Sequence, residues 1–69
     1  MKVHVDIFDV GPTDPKPFAE REKVAPTITI AMHEVMREFH DYQKLNFGSK
    51  AVYLSVSTKR YRYEARKVD

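Results

Sequence analysis

Histidine is the first place to look for chemistry in this chain. Cysteine is absent, and with it go disulfides, thiolate nucleophiles and thiolate metal sites. His33 opens the stretch HEVMR, which begins like the HExxH helix of zinc proteases but has Arg37 where the second histidine must stand. Two imidazoles one turn apart are what let a helix chelate zinc, so the motif fails. His33 and His40 share a helix face two turns apart and flank Arg37, whose charge repels a cation; they read as solvated helix histidines, and no metal site is expected. Ser49, Ser55 and Ser57 lack the GxSxG context of an activated nucleophile. Asp6, Asp9 and Asp14 lie near a strand end, where acidic residues usually face solvent rather than pair as acid and base. Gly11 and Gly48 are the only glycines, too few for a phosphate-cradling loop. The expectation is therefore a protein with no catalytic residue, no cofactor and no enzymatic activity.

What remains is charge. Residues 1–46 hold six Lys/Arg against eight Asp/Glu, a balance of −2, whereas residues 47–69 hold six against two, a balance of +4. The basic character is concentrated in TKRYRYEARK, Thr58 to Lys67. Such a stripe suits an anionic partner, because cations neutralise phosphates and nearby rings stack on bases.

These residues must be positioned by regular elements, and the hydrophobic periods predict them. Val3, Val5 and Ile7 alternate with His4, Asp6 and Phe8, a half-buried strand over 2–9 that Gly11 and Pro12 end. All four prolines fall in residues 10–26, which reads as a Pro-rich loop with a short helix fitting 17–24. From 28 to 46 the period is helical: Ile28, Met32, Val35, Phe39 and Tyr42 form one stripe, with Ala31 and Met36 beside it. The start is open, since the β-branched run TITI over 27–30 fits a strand as well as a first helical turn; Gly48 supplies the stop. Strands follow over 51–57 and 60–67. A two-residue turn at Thr58 and Lys59 pairs Val56 with Tyr61, Leu54 with Tyr63 and Val52 with Ala65, gathering the apolar partners on one face. The usual Asn-Gly or Asp-Gly is missing, which leaves a longer turn open.

The resulting architecture is a single α+β domain over 1–69 with order β-α-β-β: one helix packed on one face of a three-stranded mixed sheet with a C-terminal hairpin. If the first two strands are neighbours, they run parallel through a right-handed crossover. This order is similar at fold level to the small strand-helix-strand-strand modules that include the dodecins, and shared topology carries no function.

The uncovered face then displays His4, Asp6, Phe8, Tyr53, Ser55, Arg60, Arg62, Glu64 and Arg66. Arg60, Arg62, Arg66 and Lys67 are the expected contacts to nucleic acid or an acidic protein surface, with Tyr53 and Phe8 as stacking rings. The alternative is a protein-interaction or self-assembling regulatory module that uses the same face. A chain of 69 residues buries only about 60% of its unfolded surface, so a homo-oligomer is expected. The stretch MKVHVDIFDV has no continuous apolar h-region and no run of roughly 18 apolar residues occurs, so a cytoplasmic protein with no membrane partner is expected.

Overall fold

The computed structural model describes residues 1–10, 16–46 and 50–69. The strand and helix stops assigned to Gly11, Pro12 and Gly48 lie outside the described residues, as does Asp14. Among the described residues, four strands and one helix follow the order β1 (Lys2–Asp9), β2 (Ala19–Val24), α1 (Ile28–Glu38), β3 (Tyr53–Ser57) and β4 (Tyr61–Lys67). The sheet order is β2-β1-β4-β3, and every neighbouring pair is antiparallel. The α+β class and the helix packed on one face of the sheet are as read from sequence; the three-stranded mixed sheet is not. β1 pairs with β4, not β3, so there is no parallel crossover, and the second strand makes the order β-β-α-β-β.

That second strand lies where the sequence suggests a loop and a helix over 17–24. AEREKV is rich in helix formers, and its alternation is of charge rather than of apolar residues. Tertiary pairing overrides the local preference. β1 is central, with Val3, Val5 and Ile7 fully buried, and both of its backbone edges need partners. β2 supplies one edge, from Lys2↔Val24 to Ile7↔Ala19. Arg21 and Lys23 fall on the helix side and reach Glu38 at the end of α1, so their stems cover apolar surface while their charges stay at its rim.

α1 begins at Ile28, not as a strand over 27–30. The Thr27 hydroxyl accepts from the Ile30 N–H at 3.2 Å, an N-cap that satisfies one orphan donor, and Ile30 is left exposed. Ile28, Ala31, Met32, Val35 and Met36 are buried against Val3, Val5, Ile7, Leu54, Val56, Tyr63 and Ala65. The helix ends at Glu38 rather than near residue 46. Asp41 N–H donates to Met36 C=O at 2.9 Å and His40 N–H to Arg37 C=O at 3.1 Å, the two bonds of a Schellman ending. Its left-handed position is filled by His40 at φ 54°, so no glycine announces the stop. Among the described residues no helix is long and apolar enough to cross a membrane.

The C-terminal hairpin forms with its register displaced by two. Val56 pairs with Tyr63 and Leu54 with Ala65, and Ser57 faces Arg62 across a four-residue turn, Thr58 to Tyr61. A shift of two keeps every side chain on its face, so parity does not choose between the registers; the expected Val52 and Ala65 pair is lost, and Val52 is exposed. Thr58 decides between them. Its hydroxyl accepts from the N–H groups of Arg60 and Tyr61 at 3.1 and 3.0 Å and donates to Asp41 Oδ2 at 2.5 Å. The same carboxylate oxygen accepts from the Tyr63 hydroxyl at 2.8 Å. Burial first, then this bond to Asp41, pushes the Tyr63 phenol far above its ordinary range.

Two substitutions test the joint between helix end and hairpin. Asp41→Ala strands the buried Tyr63 and Thr58 hydroxyls and lowers unfolding free energy by about 2–3 kcal/mol in urea titration; adding Tyr63→Phe recovers part of the loss. His40→Gly relieves the left-handed backbone and raises stability by about 0.5 kcal/mol in the same assay.

Candidate functional site

Because α1 covers one side of the sheet, the even-numbered positions of β1, β2 and β4 and the odd-numbered positions of β3 form an uncovered face. The pairings set them in rows across the strands. Glu22, His4, Arg66 and Tyr53 make one row; Glu20, Asp6, Glu64 and Ser55 make the next; Phe8, Arg62 and Ser57 make a third. Val24 lies beyond them opposite Lys2, 81% exposed. The face is thus acidic along β2 and through its middle row, with arginines on β4.

The six residues expected to bind an anionic partner separate into two groups. Phe8, Tyr53, Arg62 and Arg66 share the open face. Arg60 does not: it sits in the turn, where its Nη1 donates to the carbonyls of His40 and Phe39 at 3.0 and 3.4 Å and closes the C-terminal end of α1. Lys67 follows the alternation of Tyr63 and Ala65, toward the helix side, and is exposed at the strand end. The four that remain together are engaged with one another and with acids. Arg62 stacks on Phe8, its Cζ 4.2 Å from the ring centroid, and its Nη1 is 3.4 Å from Glu64 Oε1. Arg66 Nη1 stands 3.4 Å from Asp6 Oδ2. The Tyr53 hydroxyl donates to Glu64 Oε2 at 2.5 Å, and that bond raises its phenol pKa.

A cluster that the sequence reading did not assemble lies beside them. His4 Nε2 is 2.8 Å from Asp6 Oδ1 and 3.1 Å from Glu20 Oε1, while His4 Nδ1 is 3.8 Å from Glu22 Oε1. The His4 and Asp6 side chains are only 14% and 18% exposed. The pair His4 and Asp6 was legible from strand spacing; Glu20 and Glu22 were not, because a helix over 17–24 puts them elsewhere.

Two histidines weighed as ligands in the sequence have structural roles. His33 Nε2 accepts the Leu45 N–H at 3.0 Å and so pins the segment that returns from the helix; the Tyr42 ring packs edge-on at 5.1 Å. Burial, helped by the charge of Arg37, lowers the His33 pKa and favours the neutral ring that this bond requires. His40 is the left-handed residue of the helix ending. At the opposite corner, hydrogen bonds from Lys23 and then Arg21 hold Glu38 below the usual carboxylate range. Phe18, Phe39, Tyr61 and Tyr63 pack mostly edge to face there, with Arg21 over Phe39 at 5.2 Å and Arg60 over Tyr61 at 5.1 Å.

Comparison with protein-family models, with curated proteins and with solved structures returned no match.

His33 generates a pH prediction. Its folded pKa lies below the ordinary 6.5, so the unfolded chain binds more protons, and stability is full above that value and declines as pH falls through it. Thermal melts at about pH 7.5 and about pH 5.5 show a lower midpoint at the acid end, and a smaller drop in His33→Gln, whose amide oxygen accepts without titrating.

Proposed function

We propose that this protein is a small non-enzymatic interaction module that associates with a second copy of itself through the open face of its sheet. The observation that carries this reading is the arrangement of that face: acids on β2, arginines on β4, and apolar or aromatic surface exposed at its margins. Val24 is 81% exposed and Tyr53 59% exposed. A second copy turned about a two-fold axis running along β1 sets β2 of each chain over β4 of the other, acid over arginine in the row of His4 and Glu20 over Glu64 in the row of Asp6. Glu22 then meets Arg66 in both directions, as an isologous interface requires. Face-to-face sheet packing at about 10 Å excludes water from such pairs, which raises their value over exposed ones. Self-association also supplies the burial that a core of this size lacks.

A nucleic-acid ligand is less well supported by this geometry. Arg62 and Arg66 face carboxylates, Arg60 is occupied with helix carbonyls, and the Phe8 ring carries Arg62 rather than an open stacking surface. A phosphate backbone on this face has to approach Asp6, Glu20 and Glu64 as well as the arginines.

Sedimentation equilibrium tests the reading. The expected mass of the wild type is twice the 8.1 kDa chain, falling to one chain in Val24→Asp and in Glu22→Arg. Adding Arg66→Glu to Glu22→Arg restores the dimer by exchanging the charges. A monomeric wild type overturns the proposal, and a monomer that binds a mixed oligonucleotide with strong salt dependence assigns the face to an anionic partner instead.

A further inference from the structure

We infer that His4, Asp6 and Glu20 form a divalent-cation site, with His4 Nε2 and one oxygen from each carboxylate as ligands. The three ligand atoms lie within 4.8 Å of one another. They come from a rigid frame: His4 and Asp6 are two apart on one face of β1, and Glu20 is the cross-strand partner of Asp6 on β2. His4 Nε2 lies 2.8 and 3.1 Å from the two oxygens, near enough for one ion about 2 Å from each atom to be shared among them.

The imidazole makes this more than a group of acids. Nε2 faces two carboxylate oxygens and can carry at most one proton, so a hydrogen bond satisfies one of them and leaves the other against the ring. A cation on the Nε2 lone pair satisfies both. On the far side of the ring, Glu22 Oε1 stands 3.8 Å from Nδ1, where a small rotation lets it accept the Nδ1 proton and so fix the tautomer whose Nε2 is free to ligate. Arg66, 3.4 Å from the other Asp6 oxygen, offsets part of the acidic charge and orients that carboxylate. One nitrogen and two oxygens favour Zn²⁺ over Mg²⁺, because magnesium prefers an all-oxygen octahedron and zinc accepts imidazole with carboxylates in a tetrahedron. The fourth position is left to water or to a donor from outside the site.

The site lies on the same sheet face as the self-association proposed above but draws all three ligands from one chain, and the test is arranged to separate the two. Zn²⁺ alone is titrated calorimetrically into the wild type and into Val24→Asp, which removes the dimer contact and spares the ligands. The expected result is saturable 1:1 binding in both, with a melting temperature that rises as Zn²⁺ exceeds its dissociation constant. His4→Gln and Glu20→Gln each weaken binding at least ~10-fold, the scale of a lost ligand or its support. Glu20 is exposed, so its substitution leaves the fold intact even if replacing the half-buried His4 does not. Mg²⁺ gives no comparable heat or shift. The inference is overturned by absence of saturable Zn²⁺ binding, by binding that survives Glu20→Gln, or by equal responses to Mg²⁺ and Zn²⁺, which mark charge screening alone.

Discussion

The structure depends on β1 being satisfied on both edges and one face at once. Val3, Val5 and Ile7 are fully buried beneath α1, so the backbone between them has no water to bond and must find partners on either side. β4 takes one edge through Val3↔Lys67 to Asp9↔Tyr61, and β2 takes the other. That need turns a charged, helix-prone segment into a strand. It also sets the candidate site, because it brings Glu20 and Glu22 beside His4 and Asp6.

A second constraint sits at the end of the helix. Asp41 follows the left-handed His40 and holds both the Thr58 hydroxyl and the Tyr63 hydroxyl, while Arg60 returns from the turn to the last helix carbonyls. The hairpin turn and the helix terminus therefore define each other. Removing the carboxylate leaves buried hydroxyls without a partner, which costs more than forming the bonds gains. The displaced hairpin register follows from the same contacts, since they hold Thr58 at the start of a longer turn.

On the uncovered face the balance of charge changes with the fold. In one dimension the C-terminal third is a basic segment; folded, its Arg62 and Arg66 stand among Asp6, Glu20, Glu22 and Glu64. The surface alternates in charge rather than being uniformly positive. The same packing of carboxylates about one imidazole underlies the proposed cation site.

The amino-acid sequence by itself determined the elements whose apolar period is strong. Val3, Val5 and Ile7 define β1 at its observed limits, the stripe from Ile28 to Met36 defines the core face of α1, and the alternation from Leu54 to Ala65 defines the two faces of the hairpin. It also separated Tyr61 and Tyr63 from Arg62 between them. Only the tertiary structure decided that residues 19–24 are a strand, because their alternation is of charge and their propensity is helical. It alone chose between hairpin registers two apart, which parity cannot distinguish, and ended the helix at a histidine in place of glycine. The candidate site was half legible for the same reason: Phe8, Tyr53, Arg62 and Arg66 fall on the open face by alternation, whereas Glu20 and Glu22 reach it through a long-range pairing that no local pattern encodes.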